Sequence, residues 1–127
     1  MSTLKVNTLE EATSGGATYF TAKAWIAWNM KNTPSIHDDG NVSSITDQAT
    51  GKQQINFSNN LSHANYAVGG SVAKNDNNDD FNASCHFNGY NDGNSDGNTT
   101  SKTHIRSSFN TSNSAMDTAR ATCMVLL

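Results

Sequence analysis

An all-β fold, arranged as a single β-sandwich domain, is what this chain predicts, and three observations carry that expectation. Asn (18), Ser (15) and Thr (14) fill 47 of the 127 positions; their side chains compete for backbone hydrogen bonds and favour turns, caps and short strands over helix interiors. Apolar residues recur with a period of two in short runs, and no segment sustains a helical period. Clusters of turn formers separate those runs at short intervals, giving about seven strands, the spacing of a sandwich.

The strands follow in order. Residues 19–29 contain KAWIAW, in which Ala24, Ile26 and Trp28 lie on one parity and Trp25 and Ala27 on the other. Both faces are apolar, so this strand is expected to be covered on both sides. Residues 42–46 and 53–57 form a β-hairpin around a loop of about five residues, 47–51. Val42 and Ile45 differ in parity, which calls for a bulge or for an outward-facing Val42. Ile55 and Phe57 share parity and mark the buried face. Further strands are expected at 64–73, at 81–88, where Phe81, Ala83, Cys85 and Phe87 alternate with polar residues, at 103–109 and at 119–127. The last ends in CMVLL, again apolar on both faces. The expected core is Ile26, Trp28, Ile55, Phe57 and Val125.

A sheet pair covers only the inward face of each strand, and so small a chain cannot readily surround two strands that are apolar on both faces. The second cover is expected from another subunit rather than from the chain's own long loop. Residues 1–18 read as a short extended arm, with Leu4, Val6 and Leu9 as its apolar anchors, on a joint at TSGG; residues 19–127 are the globular domain.

The net charge of −3 offers nothing to nucleic acid or to an anionic membrane surface, and no apolar run reaches the roughly 18 residues of a membrane span. No signal-peptide pattern opens the chain, so synthesis in a reducing cytoplasm is expected, with Cys85 and Cys123 as free buried thiols, or as a disulfide if the fold brings them within bonding reach. Residues 92–97, DGNSDG, fit the first half of a calcium loop, but the twelfth position is Thr103, where a bidentate Glu is required. His37, His63, His86 and His104 lack metal-ligand spacing. The expectation is therefore no metal and no other cofactor. His86 and Cys85 face opposite ways on one strand and make a poor nucleophile pair. The aspartates cluster in polar loops without the apolar surround that separates the pKa values of a catalytic pair, and the nucleophile-elbow, phosphate-loop and dinucleotide motifs are absent. No catalytic residue is expected.

Several stretches, in this order, carry a resemblance: STLKVNT at 2–8, AKAWIAWN at 22–29, SIHDDGNVSSITD at 35–47, GKQQINF at 51–57 and ANYAV at 64–68. Together they resemble short fibre or adhesin-type virion structural proteins of tailed bacteriophages of marine hosts. The resemblance implies a compact β-sandwich knob with the 42–57 hairpin at its centre, a homotrimer, and an N-terminal arm that joins the tail or capsid proteins of the virion. It brings no catalytic motif and no fixed receptor contact. Only residues 10–18 separate arm from knob, which favours a short tail or head spike over a long fibre; a capsid or tail decoration or cement protein with no receptor role is the alternative. The 90–98 loop, with Tyr90, Asp92, Asn94 and Asp96, is expected either to be inert and solvated or to meet a host-surface glycan.

Overall fold

The structure, a computed structural model, describes residues 22–73, 83–87, 97–109 and 114–127. Eight strands run in chain order: β1 (Ala22–Asn29), β2 (Ser35–Gly40), β3 (Val42–Ala49), β4 (Lys52–Phe57), β5 (Ala67–Ala73), β6 (Ala83–Phe87), β7 (Lys102–Phe109) and β8 (Arg120–Leu126). They form two four-stranded antiparallel sheets, ordered β2-β1-β8-β5 and β3-β4-β7-β6. No helix occurs among the described residues.

The two sheets share one core, which is why the arrangement is sandwich-like. Ala24, Ile26 and Trp28 of β1 and Ala121, Cys123 and Val125 of β8 belong to the same apolar cluster as Val42, Ile55, Phe57 and Ile105 of the other sheet. All five residues expected in the core are buried there. The alternation along β4 includes a polar member. Gln53, on the parity of Ile55 and Phe57, has no exposed surface. Its side-chain oxygen accepts the Trp28 indole N–H at 2.6 Å, and its amide donates to the Met30 carbonyl at 3.3 Å. One side chain thus ties β4 to β1 across the core and satisfies an indole donor that burial would otherwise strand.

The first passage between the sheets, from β2 to β3, turns on a single residue. Asn41 lies between β2 of one sheet and β3 of the other, with φ at 59°. This left-handed conformation is one that Asn tolerates better than most residues. The Asn41 amide donates to the carbonyls of Lys23 and Asn59, and its oxygen accepts the Asn59 backbone N–H at 2.8 Å. The corner is therefore held to strand β1 on one side and to the end of β4 on the other.

Three features differ from the sequence expectation. The 35–40 segment is a strand, which the sequence does not announce: it sits at a sheet edge with five of six residues exposed, so it carries no alternating apolar signal. The hairpin is tighter than expected, since Ala49 pairs with Lys52 and leaves Thr50 and Gly51 as the connection. Finally, residues 97–101 are packed. Ser101 and Thr100 accept the backbone N–H groups of Phe57 and Leu61, and the Tyr66 hydroxyl donates to the carbonyls of Thr99 and Lys102. The Val42/Ile45 parity conflict resolves as a bulge, with Val42 opposite Phe57 and Ser44 opposite Asn56.

Candidate functional site

The residues named in advance as attachment or contact sites lie outside the described residues: Leu4, Val6 and Leu9 of the arm, and Tyr90, Asp92, Asn94 and Asp96 of the loop. What the structure brings together is different. The two sheets present unlike outer faces.

On the β3-β4-β7-β6 sheet the outer face is a network of polar side chains. The Asn56 amide donates to Ser44 Oγ and Thr46 Oγ1, Gln54 bonds Asn56 and His104, and Ser108 Oγ lies 3.1 Å from Ser84 Oγ and 3.4 Å from His86 Nε2. Ser108 and His86 invite comparison with a nucleophile and its base. Ser108, however, has no exposed surface and cannot meet a substrate. Among the described residues no group of three or more His, Cys, Asp or Glu side chains is placed to hold a metal.

The cysteines are thiols on facing elements of the core. Burial, and secondarily the charge of Cys85, pushes the Cys123 thiol up to about 12, and burial also raises Cys85. These values describe inert structural groups rather than reactive ones. They also make stability depend on pH. Between the unfolded thiol value of about 8.5 and the folded value, the unfolded chain loses a proton that the folded chain keeps, so stability falls as pH rises. The expected slope from Cys123 is at most about 1.4 kcal/mol per pH unit. Urea unfolding in reducing buffer at pH 8 and pH 10.5 checks it: Cys123→Ala is expected to flatten the decline. Tyr66, whose hydroxyl burial also pushes up, leaves a residual slope at the alkaline end.

The outer face of the β2-β1-β8-β5 sheet carries an exposed apolar row beside a polar one of Asp38, Ala27, Thr122 and Ser71. Register places Gly40, Trp25, Met124 and Gly69 in one row across all four strands. Trp25 is 40% exposed and Met124 47%. The Trp25 indole lies close against Gly40, where an added Cβ would stand 2.2 Å from Nε1. An adjacent row of Ala22, Leu126 and Ala67 continues the apolar surface. Within the single chain β1 and β8 are buried on their inner faces, and their outer faces carry the exposed Trp25 and Met124 for which a second subunit is the expected cover.

At the end of the same sheet, where β1 turns into β2 and β8 begins, lies an open groove of about 630 Å³. Asn29, Lys31, Asn32, His37, Arg120 and Thr122 supply its polar lining, and no acidic residue lines it. Local backbone geometry shapes it. The Asn29 side chain accepts the Lys31 backbone N–H at 2.8 Å, Asn32 is left-handed with φ at 57°, and a bulge at Ala27/Trp28 makes His37 the extra residue of β2. Sequence spacing gave no hint of this cluster, because β8 brings Arg120 from the far end of the chain. No family model, curated protein or solved structure matches this chain.

Proposed function

We propose that the chain is a non-enzymatic structural protein of a tailed-phage virion: a short tail or head spike knob that assembles as a homotrimer and attaches to the particle through residues 1–18. The likeness of its ordered sequence stretches to phage fibre proteins supports the virion assignment. The observation that carries the assembly is Trp25 beside Met124, both open to solvent on a face whose flanking positions in the same row are glycines. A large aromatic and a methionine side by side and open to solvent on one sheet face mark a surface that gains from being covered. Three such faces turned toward one axis would shield it, each buried Trp or Met contributing about 1.5 to 3 kcal/mol. The arm residues Leu4, Val6 and Leu9 gain similarly when buried among tail or capsid proteins. A glycan on the host surface is the partner proposed for the distal end.

Sedimentation equilibrium of the full chain is expected to return three times the 13.6 kDa chain mass. The Trp25→Lys, Met124→Lys variant is expected to sediment as a single chain with an unchanged β-type circular dichroism spectrum. A folded monomer for the unsubstituted chain at tens of micromolar would end the assembly proposal. A density map of the parent particle tests the rest: a projecting, distal position fits a spike knob, whereas burial between neighbouring subunits fits a cement protein.

A further inference from the structure

We propose that the groove between the β1–β2 turn and the start of β8 binds an acidic saccharide, with its carboxylate or sulfate drawn to Lys31, His37 and Arg120 and its hydroxyls to Asn29, Asn32 and Thr122. The charge of the lining points to an anion. The chain has 11 acidic and 8 basic residues, yet the groove is lined by one Lys, one Arg, one His and no acid. Arg supplies a planar fork of donors suited to carboxylate or sulfate oxygens, and Lys a compact charge.

Size separates a saccharide from a bare ion. The groove holds about 630 Å³, inside the roughly 300–1,000 Å³ range of small-molecule sites and many times the space of one small ion. Amide and hydroxyl groups beside the charges match the alternating donors and acceptors of a sugar ring. The groove is open to solvent rather than enclosed, so a saccharide can enter it from the surface. A nucleic acid fits less well, because a chain of net charge −3 with one Lys and one Arg in the groove offers no track for a run of phosphates.

The backbone around the groove is specialised as well. A left-handed non-glycine residue, Asn32, and a β-bulge at His37 both lie on its wall. Bulges re-aim side chains, and a left-handed Asn turns the chain sharply between β1 and β2. Here both act on residues that line the same space.

The site lies at the turn end of the sheet, beyond the Trp25–Met124 row, so its test can be kept apart from the assembly state. The probes are a trigalacturonate oligomer, a sulfated galactan oligomer, neutral maltotriose and sodium sulfate, each titrated into the full ¹⁵N-labelled chain. Amide shifts are expected at residues 29–32, 37 and 119–122 with at least one acidic oligomer and not with maltotriose. Comparison of the two acidic oligomers identifies the anionic group. Arg120→Gln and Lys31→Gln are each expected to weaken binding about tenfold, as loss of one charge-assisted contact should. Arg120→Lys should retain part of the affinity. Spectra of the unliganded variants report their folding directly. A Trp25→Ser, Met124→Ser chain, which removes the apolar pair without placing charge beside Ala27 and Thr122 of the groove, should bind as the unsubstituted chain does. Equal binding of maltotriose, shifts confined to other surfaces, or sulfate alone matching the oligomers in affinity would each overturn the proposal.

Discussion

Gly51→Ala is expected to destabilise the chain by about 3 to 6 kcal/mol, from a left-handed backbone, overpacking and broken hydrogen bonds acting together. Gly51 closes the β3–β4 connection with φ at 67° and is itself buried. An added Cβ would stand 2.5 Å from the Ser107 carbonyl oxygen and 2.7 Å and 2.8 Å from the Met116 backbone nitrogen and oxygen. None of these atoms belongs to a side chain that could rotate away. The same backbone is tied down on every side. Gly51 donates its N–H to Asp117 Oδ1 at 2.6 Å, its carbonyl accepts the Ser107 N–H at 2.8 Å, and Met116 donates to Ser107 at 3.2 Å. Moving the turn to admit a methyl group therefore pulls on β7 and on the segment that leads into β8. Since a domain of this size has only about 5 to 15 kcal/mol to lose, much of the population should unfold at physiological temperature. Urea unfolding gives the number. Gly97→Ala is the matched control: its Cβ would meet nothing within 4 Å, and a change within about 0.5 kcal/mol is expected. Equal midpoints for the two variants would show that the turn is not pinned as described.

Legibility in the sequence follows what a periodic pattern can report. Alternation reports which side of a strand turns inward, and Ile26, Trp28, Ile55, Phe57 and Val125 were found that way. It says nothing of what lies beyond the outward side. Trp25 and Met124 are apolar by sequence whether a loop, a subunit or water covers them, and only the coordinates distinguish these for the single chain. An edge strand such as β2, with Ile36 and otherwise polar residues, has no buried face to generate a pattern. Strand β7 fails in the opposite sense. Thr103, Ile105 and Ser107 are buried on one parity and His104 and Ser108 on the other, although four of these five are polar. The 114–118 segment lies along its end, with Ser108 bridging Ala115 and the Ser107 hydroxyl donating to the Met116 carbonyl. Hydrophobicity cannot announce burial that is satisfied by hydrogen bonds. The groove was invisible for a third reason: its residues are single polar positions at strand ends, joined only by the β1–β8 pairing.

That kind of polar burial yields the second large effect. Gln53→Leu keeps the side chain's approximate volume and adds apolar surface to the core, so a purely hydrophobic account predicts a gain. The hydrogen bonds predict a loss. Leucine leaves the buried Trp28 Nε1–H without its acceptor at 2.6 Å and the Met30 carbonyl without its side-chain donor at 3.3 Å. Each stranded group costs about 1 to 3 kcal/mol, against a transfer gain of roughly the smaller of these values. A net destabilisation of about 2 to 4 kcal/mol is expected. The mechanism can be separated from mere crowding by a cycle. Trp28→Phe removes the indole donor, so adding Gln53→Leu to it should cost less than Gln53→Leu alone, with a coupling of about 1 to 2 kcal/mol. Simple additivity of the two substitutions in urea would mean that the bond between the sheets contributes nothing specific. Coupling would mean that a polar residue on the parity of Ile55 and Phe57 fixes how β4 sits on β1, and with it the position of the Trp25 face that the same strand turns outward.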